Sequence, residues 1–398
     1  MRLSRRIGRI KPSATLSINA KAKELKRNGV SIVNFCVGEP DSETPQNVRN
    51  AAIDSIHSGQ TRYTAVGGID ELKDAVCRMI QTEYGMHCGR ENVLVSCGGK
   101  HALYNLLMTI LDPGDEVIIP APYWVSYPDM VDLTGAKSVT VACPEDAGFI
   151  LRPEALESAI TPSTRLLILN SPSNPTGKYY GPEDLKALAE VLLRHETVFI
   201  ASDDIYYRIL FGGREWANLG MVEEKLRSRL FIINGVSKSY SMTGWRLGYL
   251  IGDPAVIKAA TDFQSQVTSN ACSISQWASV EAITGDQDSV REMVQNFEKR
   301  CKHVLERISD LPGVTCPEPD GAFYVFPNLS AYYGKKCGDR IIRGSFDLAE
   351  YLMEEAHVAV VPGIAFGEDN CTRFSYALSM EEIDQGFDAV KKALGKLI

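Results

Sequence analysis

The sequence predicts an α/β fold in which a mostly parallel sheet is sandwiched between helices, with a second, smaller α+β domain. Three observations lead there. Short apolar runs at 93–95, 116–120, 165–170, 197–202 and 230–233 are too brief for helices and too continuous for half-exposed strands, which is how parallel strands covered on both faces read. Helix-length segments lie between them, among them 100–111 and 182–195, as crossover connections require. The chain has 398 residues, more than one hydrophobic core usually organises.

Composition narrows the function. Hydrophobic residues make up 44% and charged residues 23%, an ordinary globular balance. A formal net charge of -8 disfavours a nucleic-acid or anionic-membrane partner, since either calls for a basic surface. The ten cysteines are scattered with no C-x-x-C spacing, so no metal site is expected and reduced thiols in a cytoplasm are the simplest account. No apolar run approaches the roughly 18 residues of a membrane span.

In chain order, 17–28 reads as a helix and 32–37 as a strand. GEPDSET follows, its turn marked by Gly38, Pro40 and Asp41. QTRYTAVGG (60–68) is a polar loop ending in glycines. The run at 93–95 is followed by Gly98 and Gly99 and then by a helix over 100–111 with Ala102, Leu103, Leu106, Leu107, Ile110 and Leu111 on one face. This strand, turn and helix form the outline of a phosphate cradle, because glycines admit a ligand to the backbone and the first helical N–H groups point at it. A nucleotide P-loop fails at Leu94 and His101, and no G-x-G occurs anywhere in the chain, which removes the dinucleotide fingerprint. The strand at 116–120 runs into APYWVSYP with Trp124, that at 165–170 into SPSNPTG with Asn174, and that at 197–202 into DDIYY with Asp203 and Tyr206.

The run at 230–233 reads as a parallel strand, after which the chain leaves the sheet. Lys238 follows among Gly235, Ser237, Ser239 and Ser241, and Arg246 comes eight residues later. Right-handed crossovers bring Asn174, Asp203 and Lys238 to one edge, the carboxyl end of the strands, where open α/β sheets bind ligands. A desolvated lysine near another cation is lowered in pKa and attacks carbonyls to form a Schiff base. Helices then read over 253–266, 274–284 and 289–311, with a domain boundary near Gly285. DGAFYVF gives a strand, 335–344 an exposed loop, VAVVPGIAFGE and TRFSYALS two more strands, and a final helix starts at Met380.

S-K-x-x-x-M-T-G-W-R-x-G-Y, from Ser237 to Tyr249, resembles the cofactor-lysine motif of class I aminotransferases, the fold-type I enzymes that use pyridoxal 5′-phosphate. The resemblance extends from Pro12 to the last helix, and PSATLSINAKAKEL (12–25) resembles the mature start of these enzymes. That start outweighs a transit-peptide reading of the basic first 23 residues. Two departures stand out: Gly235 occupies a position where many relatives carry a serine that contacts the cofactor phosphate, and Asp204 stands where the family has Glu.

The resemblance implies a large cofactor-binding domain at 46–285 and a small domain from 1–45 and 286–398. It implies that Lys238 holds the cofactor and then works as general base and acid, that Asp203 keeps the pyridine nitrogen protonated, and that Tyr206 and Asn174 contact the phenolic oxygen. Trp124 stacks on the ring; Arg246, Gly98 and Gly99 hold the phosphate, with Tyr63 reaching across a homodimer to the partner's phosphate. Substrate is expected at Gly38, Trp124 and Asn174, with its α-carboxylate on Arg373 of R-x-S-Y-A. Relatives whose glycine loop reads G-G-K use that lysine, here Lys100, for a distal carboxylate with help from a hydroxyl, here Thr15. The implied reaction is ping-pong transfer of the amino group from L-aspartate to 2-oxoglutarate. Prephenate or aromatic amino transfer, or a lyase reaction on the same scaffold, is the alternative.

Overall fold

The apolar runs become neighbouring strands in the computed structural model, which describes residues 29–398 together with Ser4, Ile7–Arg9, Ile18, Glu24, Leu25 and Arg27. The helix expected over 17–28 and Thr15 lie largely or wholly outside the described residues. Strand β1 is Val33–Asn34; the main sheet is built from β2 (Val93–Ser96), β3 (Glu116–Ala121), β4 (Lys137–Ala142), β5 (Thr164–Asn170), β6 (Phe199–Asp203), β7 (Leu230–Gly235) and β8 (Gly248–Ile251). Their order across the sheet is β2-β8-β7-β6-β5-β3-β4. Neighbours from β7 through β4 are parallel, whereas β8 runs against both β7 and β2. The chain that leaves the sheet at Gly235 therefore re-enters it at Gly248, which the reading of the sequence did not anticipate. β4, half-exposed along its length, also went unread.

Every residue of β7 is buried, and the period of two along a strand divides them between two cores. Leu230 and Ile232 join Leu72, Val76, Leu188 and Leu192 on one face. Phe231 and Ile233 join Leu103, Leu106, Leu107 and Ile257 on the other. Phe231 is fully buried, so truncation to Ala is expected to cost about 3–5 kcal/mol. Arg229, just ahead of β7, donates to the carbonyls of Leu192, His195 and Val198 at 2.6–2.8 Å. Leu192 is in the last turn of the helix Pro182–Leu193, and His195 and Val198 lie in the segment that follows it, so the guanidinium sits at the helix's carboxyl end, where a cation is favoured.

A third core packs β9 (Tyr324–Val325), β12 (Val358–Ala359) and β14 (Thr372–Ser375) against the helices Asp288–Ser309, Ser345–Glu355 and Met380–Leu394, while Val361 of β13 (Val361–Pro362) joins a small separate cluster with Cys36, Phe326 and Phe366. β14 lies between β13 and β9, antiparallel to both, and β1 pairs in parallel with β12. β1 is shorter than the expected 32–37 because Phe35 turns its carbonyl to Ser375 N (2.9 Å). The span 335–344, expected as a loop, contains an antiparallel hairpin of β10 (Lys336–Cys337) with β11 (Arg340–Ile341), turning through Gly338 at φ 58°. Tyr206, Ile209 and Phe211 also belong to this third core. The segment that leaves β6 at Asp203 thus crosses from one core to the other, and the cleft lies at that crossing. Among the described residues no helix is long and apolar enough to span a membrane, and no cluster of His, Cys, Asp and Glu could hold a metal ion.

Candidate active site

A cleft of about 330 Å³ opens at the carboxyl edge of the sheet, and its walls include Gly38, Gly99, Lys100, Trp124, Asn174, Asp203, Tyr206, Lys238, Arg246 and Arg373. The sheet register explains the convergence. Asn170 and Asp203 are paired at the ends of β5 and β6, and Asn170 links the floor together by donating to Asp203 O (2.8 Å) and accepting from Asn174 N (2.9 Å). Asp203 is the last residue of β6 itself rather than the first beyond it.

Lys238 reaches into the cleft and donates to Gly38 O. Its pKa falls to about 8. Loss of hydration is the main cause, Arg373 and Arg246 act in the same direction, and Glu39 and Asp203 oppose them. Near neutrality a useful fraction of the amine is therefore uncharged. The GEPDSET loop is fastened above it: Thr243 Oγ1 donates to Glu39 Oε2 (2.6 Å), Thr44 Oγ1 to Ser241 O (2.8 Å) and Trp245 Nε1 to Thr44 Oγ1 (3.0 Å).

Asp203 is buried, and burial pushes its carboxyl up to about 6. The strongest opposing contact is the Tyr127 hydroxyl, which donates to Oδ2 at 2.6 Å. Tyr127 was not singled out from the sequence, although it stands three residues after Trp124. A turn at the start of the helix Ser126–Thr134, closed by Tyr127 N donating to Trp124 O at 3.0 Å, puts both rings in edge contact, centroids 5.3 Å apart. Tyr324 is a second unread contributor, its hydroxyl 2.8 Å from that of Tyr206.

The end of the cleft where the sequence reading expects a phosphate is shaped by backbone. Gly98 adopts φ 94° ahead of the helix Gly99–Ile110, and a Cβ on Gly98 would stand 2.7 Å from Arg246 Nη2. Across the sheet Gly248 pairs with Gly235. A Cβ on Gly248 would lie 2.3 Å from Gly99 N, and one on Gly235 would lie 2.8 Å from Gly248 Cα. The absent serine at 235 therefore has a steric reason: the glycine helix start rests on Gly248, and Gly248 rests on Gly235.

Arg373 lies buried in β14. It donates to Asn174 Oδ1 and Cys36 O, both at 2.9 Å, and its guanidinium carbon sits 4.7 Å from the Tyr324 ring centroid and 5.1 Å from that of Phe366. Its Nε is buried without a hydrogen-bond partner among the described residues, a donor that a carboxylate would satisfy. Lys100 Nζ lies 4.8 Å from the Trp124 ring centroid, its pKa lowered by burial and then by Arg246. Tyr63 is 92% exposed and is absent from the cleft lining of its own chain.

These residues fit pyridoxal phosphate. An enclosed amine faces the cleft, a buried acid lies at its floor, and a glycine cradle with an adjoining guanidinium suits a dianion, with N–H donors that a Cβ would block. Comparison with known proteins agrees. The family of class I and II aminotransferases matches residues 30–390. The chain is 48% identical over 396 residues to a probable aspartate/prephenate aminotransferase of Rickettsia bellii, covering 99% of each. It is 47% identical over 380 residues to the aspartate/prephenate aminotransferase of Cereibacter sphaeroides, covering 95% of each. The crystal structure of an aspartate aminotransferase from Rhizobium meliloti superposes with a TM-score of 0.97 at 43% identity over 100% of both chains. That of the Thermus thermophilus aspartate aminotransferase with maleate gives 0.91 at 40% identity, over 99% of this chain and 100% of that one.

Proposed function

Because the chain belongs to the class I and II aminotransferase family, we propose that it moves the amino group of L-aspartate to 2-oxoglutarate by a ping-pong route with pyridoxal 5′-phosphate. The observation that carries the dicarboxylate reading is the pair of cations on the cleft wall, buried Arg373 with a free Nε and Lys100 beside Trp124. The Thermus relative was solved with maleate, itself a dicarboxylate. Arg373 takes the α-carboxylate and Lys100 the distal one, with Thr15 as the accompanying hydroxyl.

When bound, pyridoxal phosphate supplies an aldehyde carbon for amines and a ring that accepts electrons from the substrate Cα. Lys238 is the amine that would hold it, while Arg246, Gly98 and Gly99 would hold its phosphate. Asp203, braced by Tyr127, holds a proton at the ring nitrogen. Tyr206 and Asn174 would orient the ring, and Trp124 would shield it. Once free, Lys238 would take the proton from the substrate Cα and return it to the carbon on the far side of the amino nitrogen, work suited to an amine near pKa 8. Arg373 and Lys100 orient the substrate so that its Cα–H faces that amine.

The active unit in this proposal is a homodimer whose sites are completed by the partner's Tyr63. The large domain spans 46–285 and the small domain 1–45 with 286–398. The ten unpaired cysteines favour a cytoplasmic enzyme. Prephenate is the second reading, favoured by the names of the Rickettsia and Cereibacter relatives. A panel of aspartate, glutamate, tyrosine and prephenate, assayed for oxo-acid-dependent transfer, tests both; release of ammonia or carbon dioxide instead would make it a lyase. Borohydride reduction of the wild type is expected to fix the cofactor on Lys238. A label on another lysine would overturn the assignment.

A further inference from the structure

Away from the cleft two thiols meet. Cys77, on the helix Asp70–Glu83, and Cys88, in the loop that leads to β2, place their Sγ atoms 3.3 Å apart. Both are partly accessible and unpaired, whereas Cys36, Cys143, Cys301 and Cys371 are buried. Ion pairs and hydrogen bonds hold helix and loop in this position. Arg90, two residues after Cys88, binds Asp70 and Asp74 of that helix at 2.6 Å each, Lys73 Nζ reaches Arg90 O at 3.4 Å, and Asn92 Oδ1 accepts from Gly89 N at 2.9 Å.

We propose that Cys77 and Cys88 are a modification site, a dithiol that closes reversibly to a disulfide by exchange with a small-molecule disulfide and staples the helix to the approach of β2. The Cys77 thiolate attacks one sulfur of the external disulfide, whose S–S bond breaks and releases one thiolate. Cys88 then loses its proton to solvent and attacks the Cys77 sulfur of the mixed disulfide, so that the protein S–S bond forms and the second thiolate leaves. Two protein thiols are oxidised by two electrons, and the external disulfide is reduced to two thiols. Cys77 attacks first because the Cys88 S–H can donate to it, which favours its thiolate and holds back that of Cys88. The existing ion pairs already fix the arrangement, so closing the bond leaves the cleft as it is and constrains mainly the unfolded chain.

The test is to equilibrate the full-length holoenzyme with increasing oxidised glutathione, block free thiols under denaturing conditions and map peptides without reduction. The expected result is a peptide joining Cys77 to Cys88, lighter by two hydrogens and reopened by dithiothreitol. The apparent Tm of the oxidised protein is expected to rise by about 3 °C, from closing a short loop in a chain of this size, and turnover to stay unchanged. Cys88→Ser is expected to lose both the link and the shift. The proposal is overturned if both thiols stay reduced, if each carries its own glutathione, if either pairs elsewhere, or if the link forms without raising Tm or with loss of turnover.

Discussion

Replacing Tyr127 with Phe removes one hydroxyl while leaving the ring against Trp124, and its effect can be worked out from Asp203. Burial holds that carboxyl at about 6, and the Tyr127 hydroxyl is the leading contact that keeps it from rising further. The remaining donor, Ile205 N, is 3.4 Å away and compensates little. A hydrogen bond to a charged group contributes about 1.5–3 kcal/mol, and one pKa unit corresponds to about 1.36 kcal/mol, so the variant's Asp203 is expected to rise by about 1–2 units. A raised carboxyl protonates earlier as pH falls. The acid limb of kcat/KM, which reports groups of the free enzyme, therefore moves to higher pH, while the plateau on its alkaline side changes little. An unmoved acid limb, or a loss that is uniform across pH, would refute the assignment of Tyr127 as the group that keeps Asp203 ionised.

Three further outcomes are expected. Asp203 rises from 3.8 to about 6 on folding, so its contribution to apoprotein stability is full below 3.8 and is lost as pH climbs to 6, beyond which the buried charge costs about 3 kcal/mol. Asp203→Asn should thus stabilise the apoprotein above that window and not below it, even as turnover collapses; thermal melts showing equal shifts at both ends would sink the argument. Lys100→Met should lower kcat/KM for aspartate by about 10- to 150-fold and spare phenylalanine, which has no distal carboxylate; equal losses would return Lys100 to the cofactor or the fold. Hybrids of Tyr63→Phe with Lys238→Ala subunits should contain one intact site, so mixed dimers without wild-type-like activity would place Tyr63 in its own chain's site.

Much of the site was legible in the sequence because a parallel sheet turns local order into spatial order. An apolar run with no exposed face has to be a central strand, and whatever follows it arrives at the carboxyl edge with the other strand ends. Asn174, Asp203 and Lys238 could be placed together on that ground before any coordinates, and the pattern from Ser237 to Tyr249 carried the family and its cofactor. Contacts between segments distant in the chain were not legible. The bracing of Asp203 by Tyr127, 76 residues away, and the stacking of Gly235, Gly248 and Gly99 depend on how the strands pair and on β8 reversing direction. The approach of Cys77 to Cys88 depends on a loop folding back onto its helix. Period and composition act within a segment of a few residues, whereas these contacts follow from close packing between segments, and only the tertiary structure decided them.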